Sequence, residues 1–389
     1  MIKNAYNLTA LIDPYEKDPE RRYKGLCTIF KTLEYEGDNM TAVCSPDGIH
    51  WNPYDEKPVF GRWGSQLEDV ACLSYDPNGR LYVLTTRHYE LSTVARNLGN
   101  PVVGSFTPPY YPLDWRRMNK RRIWQSLSHD LVHWTEPYAI LTPEDSLDDI
   151  DETYYGLCQY RTGGVIMGFL TTFHYTKNHL GVKLVYSRNG HDWKHLNNRQ
   201  YFIGRGSFGK WDEFIAALTV PPIEVSGELR FYYGGAKNHH DWWFRGEAEK
   251  LDVPEAWDRS KVGYGLGIAT LRLDGYASLD STSVRTGIVI TRPFISKGTK
   301  LEVNAKCLPG GYLTAEIVDI NDRPLSNHDK SSCDVFTGDS IGHVFTWNGK
   351  ADFPRAEVTR AVYPAPEENR FRKIRFYMKN AELYSFTIK

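Results

Sequence analysis

Ser45-Pro46-Asp47-Gly48-Ile49-His50-Trp51 recurs as Ser128-His129-Asp130-Leu131-Val132-His133-Trp134 and again as Ser187-Arg188-Asn189-Gly190-His191-Asp192-Trp193. Each copy follows a short strand-like run, at 40–44, 123–127 and 182–186. The pattern reads as a strand, a tight turn and a Trp. Asp or Asn beside Gly suits the turn backbone, and its side chain can accept backbone N–H groups. The Trp is expected to fold back and seal the edge of its strand unit. A fourth run, 265–273, leads into Asp274-Gly275-Tyr276, a similar turn without the Trp. Hairpin patterns fill the intervals: 70–75 with 81–85, 159–160 with 165–170, and 222–225 with 229–233. The copies are spaced unevenly, by about 60 to 85 residues, with inserts such as 90–120 between them. Uneven units with variable loops fit the blades of a β-propeller better than a solenoid.

No segment shows a sustained helical period, although 246–260 suits a short helix on a loop. Beyond about residue 288 the turn repeats stop. Strand candidates there are 301–305, 312–318, 343–347, 373–378 and 383–388, which read as a small antiparallel β-sandwich. The expected fold is therefore all-β. A five-bladed β-propeller with one blade incomplete spans 1–288, and a small β-sandwich spans 289–389.

Composition narrows the function. The 389 residues carry 47 Lys+Arg against 48 Asp+Glu, so the electrostatic footprint of a nucleic-acid binder is missing. No run approaches the roughly 20 apolar residues of a membrane helix. No apolar signal-peptide core follows Met1, which predicts a cytoplasmic protein. Cys27, Cys44, Cys72, Cys158, Cys307 and Cys333 are scattered without a C-x-x-C pair, which argues against structural zinc or a disulfide framework. No dinucleotide, Walker or H-E-x-x-H motif appears, so no cofactor and no metal are expected. The 25 Tyr, 17 Phe and 11 Trp favour strands and also suit a surface for stacking sugar rings.

Further short motifs are Arg22-Tyr23-Lys24, Tyr232-Tyr233-Gly234-Gly235 and Ala269-Thr270-Leu271-Arg272-Leu273-Asp274-Gly275. The tail adds Thr291-Arg292-Pro293-Phe294 and Leu383-Tyr384-Ser385-Phe386. With the repeats, these resemble the five-bladed β-propeller glycosidases of the invertase/levanase-like and arabinanase/xylosidase-like kinds. The nearest likeness is to an uncharacterised bacterial branch related to glycoside hydrolase family 32. The resemblance implies a glycoside hydrolase that cleaves a terminal sugar from an oligo- or polysaccharide, using a carboxylate pair in the propeller funnel. It also implies a blade ahead of the segment around Asp13. Four blades are visible here, with strands from 1–12 and 276–290 helping to close a fifth. Some relatives hold a calcium ion in the central channel.

Glycoside hydrolysis needs one carboxyl group to protonate the leaving oxygen and a second group as nucleophile or base. Candidates near blade starts are Asp13, Glu68-Asp69, Asp151-Glu152 and Asp212-Glu213. The resemblance assigns the nucleophile or base to Asp13, the stabilising acid to Asp69 and the proton donor to Glu152. On a count with one blade missing, Asp13 is the stabiliser and Glu68 the donor. Turn caps and Arg-paired acids are the structural alternative for all of them. Asp148 and Asp149 read as loop acids.

Arg22 and Arg87 could bind a carboxylate or a hydroxyl pair, or pair with the acids just named. His88, His174, His239 and His240 follow inner strands and could orient a sugar hydroxyl. Trp63 and Trp211 flank the acid segments as stacking walls or seam packing, whereas Trp51, Trp134 and Trp193 read as structural. The substrate-binding set is thus Arg22, Trp63, Glu68, Arg87, His88, His174, Trp211, Asp212 and His239. The partner is an oligosaccharide or glycoside, with no nucleic acid and no membrane, and an oligomer is compatible with the sequence. A non-catalytic carbohydrate-binding propeller is the competing reading. A sialidase-like site would need three clustered Arg and a Tyr nucleophile, a pattern that Arg22, Arg87 and Arg205 do not clearly make.

Overall fold

The computed structural model describes residues 5–29, 39–55, 58–60, 70–88, 120–144, 146–247, 253–354 and 371–389. Almost every described element is a β-strand. The first sheet is an antiparallel meander of β1 (Ala5–Ile12), β2 (Tyr23–Ile29), β3 (Asn39–Ser45) and β4 (Asn52–Pro53). The second repeats it with β5 (Ala71–Asp76), β6 (Leu81–His88), β7 (Arg122–Ser128) and β8 (Tyr138–Leu141). The third opens the same way with β9 (Glu152–Thr162), β10 (Val165–His174), β11 (His179–Ser187) and β12 (Trp193–His195). It continues through β13 (Tyr201–Ile203), β14 (Ile215–Ala217), β15 (Ile223–Val225), β16 (Glu228–Ala236) and β17 (Tyr264–Arg272). Two short helices, Trp242–Glu247 and Pro254–Trp257, separate β16 from β17.

The chain packs as two compact units, Met1–Ile223 with Arg230–Ala269, and Glu224–Leu229 with Thr270–Lys389. The second unit holds a five-stranded sheet of β18 (Leu279–Ser281), β19 (Gly287–Ile290), β20 (Leu301–Val318), β21 (Asp339–Val344) and β22 (Lys373–Ile388). Its core includes Leu301, Leu313, Phe345, Trp347, Phe376 and Met378. The strand pairs expected separately at 301–305 and 312–318, and at 373–378 and 383–388, are two long strands. They stay paired across register shifts at Asn304/Ala305 and Cys307/Tyr312. β18 and β19, from the stretch expected to help close a fifth blade, instead pair with β22.

The repeated turns obey one hydrogen-bond rule. Ser45, Ser128 and Ser187 Oγ accept the N–H of Gly48, Leu131 and Gly190, at 2.8, 2.9 and 2.9 Å. Oδ1 of Asp47, Asp130 and Asn189 each accepts two further backbone N–H groups, at 2.8–2.9 Å. The Trp indole of each copy then donates back to the carbonyl of Gly48, Leu131 or Gly190. That carbonyl belongs to a residue with positive φ: 78° at Gly48, 70° at Leu131 and 79° at Gly190. Leu131 bears the left-handed backbone without glycine's freedom, and its side chain is fully buried in the core with Met40, Phe60 and Leu84.

The first strands of the three meanders are neighbours. Leu73 N–H donates to Thr9 Oγ1 at 2.8 Å, and Thr85 Oγ1 donates to the Leu157 carbonyl. A Cβ at Gly156 would sit 2.9 Å from Val70 Cγ1, while Arg161 pairs with Asp76 at 2.7 Å. β5 and β9 therefore run in the same sense. One end of the first unit carries Val70 and the start of β9, and the other carries Tyr75, Asp76 and Arg161.

Asn189 Oδ1 accepts the same two N–H groups as Oδ1 of Asp47 and Asp130, so the turn itself needs an acceptor oxygen, and the exposed Oδ2 pairs of Asp47 with His50 and Asp130 with His133 are additions to it. Asp130→Ala should lower unfolding free energy by about 1–2 kcal/mol. Asp130→Asn should stay within about 0.5 kcal/mol of the parent. Chemical denaturation reads both, and equal losses would refute the acceptor role.

Candidate active site

At the start of β9, acids gather around a single histidine. The β9–β10 register sets Glu152 opposite His174, and the β10–β11 register sets His174 opposite His179. His174 Nε2 is 3.7 Å from Glu152 Oε2. Its Nδ1 is 3.2 Å from Asp151 Oδ1 and 3.9 Å from Asp149 Oδ2. Glu152 is only 1% exposed, and its other oxygen meets the ammonium of buried Lys183 from β11. Burial opposes ionisation of Asp151, but hydrogen bonds from His174 and from the Thr176 hydroxyl and N–H outweigh it. Its carboxyl is held well below the usual range. Burial pushes His179 down to about 4, helped by Arg205 and His174.

Asp149, Glu152 and His174 each offer a ligand atom within 4.8 Å of the others, a donor set that could close on a cation. Lys183 supplies one positive charge beside Glu152.

A sealed support lies behind this cluster. Asp148 accepts from Tyr154 OH at 2.9 Å and from Arg199 Nη1 at 2.8 Å, with Lys183 Nζ 3.8 Å away. Burial opposes its charge, but these partners and the Glu144 N–H hold its pKa low. Tyr154 OH also lies 3.0 Å from His195 Nε2, and burial lowers His195 to about 4.

Tyr155 faces elsewhere. Thr171 pairs with Gly156 and Thr172 with Tyr154, which leaves Tyr155 as the extra residue of a β-bulge. Its hydroxyl is 2.6 Å from His240 Nε2, and His240 Nδ1 is 2.5 Å from Asp241 Oδ1. The Arg87 guanidinium lies 3.7 Å from the Tyr155 ring centroid.

Asp13, expected as nucleophile or base, lies at the other end of the first unit, beside Tyr82. Its Oδ2 accepts from Lys24 Nζ at 2.8 Å and from Tyr82 OH, and its Oδ1 accepts the Tyr15 N–H at 2.9 Å. Tyr82 pairs with Tyr75, whereas Gly156 packs on Val70. Five residues of strand, about 16 Å, separate those two levels. Burial opposes the charge on Asp13, but Lys24, Tyr82 and Tyr15 more than compensate and its pKa falls. Asp13 thus stands in a buried ion pair at the Tyr75 end, because it follows β1 whereas Glu152 begins β9. Arg22 goes with it, exposed, its carbonyl accepting the Asp13 N–H at 3.1 Å.

Of the other expected residues, Arg87 and His174 do meet at the Glu152 end. His88 ends β6 opposite Arg122. His239 is held by Glu255, Nδ1 to Oε1 at 2.5 Å, with its ring 4.0 Å from that of Phe214. Asp212 accepts from Tyr233 OH at 3.0 Å. Trp211 lies over Gly235 and Gly265, where an added Cβ would come within 2.5 and 2.7 Å of its ring, and stays 41% exposed. Trp63, Glu68 and Asp69 lie outside the described residues. Lys183 and Asp241 were missed, because neither sits beside an acid motif. Asp149 was read as a loop acid, and its exposed side chain still reaches His174.

No protein-family model matches this sequence, and no curated protein is significantly similar to it. Several solved structures align in part. A Parabacteroides distasonis protein assigned as a glycoside hydrolase is 16% identical over 70% of each chain, with a TM-score of 0.43. A glycosyl hydrolase from Bacteroides ovatus is 14% identical over 61% of each chain, with a TM-score of 0.39. A thermostable family-43 glycoside hydrolase is 10% identical over 69% of this chain and 71% of its own, with a TM-score of 0.43. At this degree of likeness no chemistry carries across, and side-chain geometry has to supply it.

Removing the cation from the Asp13 pair tests its structural role. Lys24→Met should destabilise the fold by about 3–5 kcal/mol, since it leaves a buried carboxylate without its cation. Folded pKa values near 4 for His179 and His195, against 6.5 for free imidazole, mean that the unfolded chain binds more protons between those limits. Stability should therefore fall as pH drops from 6.5 towards 4. A His179→Gln, His195→Gln double variant should show a shallower slope in pH-dependent denaturation.

Proposed function

We propose that this chain is a glycoside hydrolase whose chemistry sits at the Glu152 end of the first unit. The acid cluster around His174 carries the reading. Three carboxyl groups converge on one imidazole beside a single lysine, an arrangement that a purely structural ion pair would not need. Glu152 is the proton donor to the leaving oxygen. Asp69, outside the described residues, is assigned as the stabilising carboxylate on the sequence pattern alone. The three meanders, with their first strands adjacent, suit blades of a β-propeller. The substrate is an oligosaccharide or glycoside. Trp211, held flat on a glycine floor with Tyr233 5.7 Å away, offers a face for a sugar ring.

Glu152→Gln should lower kcat by about 10²–10⁴-fold on aryl glycosides. The loss should be smallest where the leaving group is most acidic, because such a group departs without a donated proton. Undiminished activity in a folded Glu152→Gln protein would remove Glu152 from the reaction.

A further inference from the structure

The face of β9 that buries Leu157 in the core changes character further along the strand. Gln159 and Arg161 follow Leu157 at two-residue steps and so share its face. Together with Gln125 and Leu127 of β7, and Leu81 and Val83 of β6, they line a cleft of about 160 Å³. Gln125 and Gln159 are buried, at 3% and 7% exposure. A neighbouring carbonyl settles which way both amides point. Gln125 Nε2 donates to the Gly190 carbonyl at 3.4 Å and to Tyr138 OH at 2.7 Å, and a carbonyl can only accept. Gln125 Oε1 is therefore the atom that accepts from Gln159 Nε2, at 2.8 Å. That leaves Gln159 Oε1 as an acceptor to which nothing donates among the described residues. The oxygen is not sealed in protein either, and the open space beside Gln159 is the cleft. Arg161 Nη2 pairs with Asp76 Oδ2 at 2.7 Å, and its Nη1 makes no hydrogen bond among the described residues. Ile166, opposite Arg161 in the β9–β10 register, adds to the aliphatic wall.

Two amides placed in the seam between two sheets cost desolvation, and an acceptor left open there recovers it only from a donor outside the fold. Arg161 and Asp76 neutralise one another, so the wall offers an ion little. An open acceptor and an open donor beside aliphatic surface match a ring with hydroxyls on its edge and C–H groups on its faces. A cavity of this volume holds a six-membered ring. We propose that the cleft is a second binding site, for one neutral polyhydroxyl molecule of sugar-ring size. One hydroxyl donates to Gln159 Oε1, a second accepts from Arg161 Nη1, and Val83 and Ile166 meet the C–H face. The site is separate from the Glu152 end, because Gln159 stands seven residues further along β9, a distance of about 20 Å. Binding here is independent of the hydrolase reading.

The test follows the δ1-methyl signal of Ile166 by NMR in the full chain, with the signal assigned through Ile166→Val. The probes are glucose, galactose, mannose and xylose, the open-chain polyol sorbitol, and sodium acetate as an anion. At least one neutral probe should shift the signal saturably, with a Kd in the millimolar range. Acetate should leave it in place. A response to the sugars without sorbitol identifies a ring as the ligand, and a response to sorbitol as well identifies a polyol; either supports the site. Gln159→Met, which removes the open acceptor at similar volume, should raise that Kd about tenfold. Arg161→Lys keeps a cation beside Asp76 but loses the guanidinium fork, and it should weaken binding likewise even if Gln159→Met loses its fold. A signal that no neutral probe moves overturns the proposal, as does one that acetate moves in their place. An unchanged Kd in folded Gln159→Met or in Arg161→Lys does the same. A chain inert to aryl glycosides whose Ile166 signal still titrates with a neutral probe removes the hydrolase reading and leaves this site standing.

Discussion

A carboxylate can stand inside a β fold only where a cation or a set of N–H donors meets it. That constraint sorts the acids of the first unit. Asp13 is closed off by Lys24 and Tyr82, Asp76 by Arg161, and Asp148 by Arg199 and Tyr154. Each of these carboxylates has a cation beside it. Around His174 the balance differs. Asp149, Asp151 and Glu152 share one imidazole and one ammonium, so the cluster holds more acid than base.

Backbone geometry decides which side chains join that cluster. Antiparallel pairing places Glu152, His174 and His179 on one line across three strands. Successive residues of a strand face opposite ways, so Tyr154 turns to the buried Asp148 network. The bulge inserts Tyr155 without a partner and aims it at His240. Two adjacent tyrosines of the same strand thereby serve two unlike environments, one sealed and one open to water.

The turn motif was readable because it is local. Ser, then Asp or Asn, then Trp closes its own hydrogen bonds within seven residues, and nothing distant is needed to interpret it. The acids were harder to place. Asp13 and Glu152 both border first strands, yet one follows its strand and the other begins it, and strand sense is not written in an acidic residue. Lys183 and Asp241 come from later elements, and the bulge at Tyr155 depends on pairing between β9 and β10. His174 ends β10 and Arg87 lies one residue before the end of β6, strands that the hairpin pattern already marked.

The aromatic residues divide along the same line. The indoles of Trp51, Trp134 and Trp193 donate to carbonyls in their own turns, so their polar atoms are committed to the fold. Trp193 also closes on Gly168, where any Cβ would come within 2.6 Å of its ring. Trp211 uses glycines differently. Gly235 and Gly265 give it a flat floor that sets the plane of the ring, while its outer face stays open. A ring fixed on one side and bare on the other loses little conformational freedom when a sugar stacks on it. Rigidity bought by glycine in the strand beneath is therefore a property of binding as much as of packing.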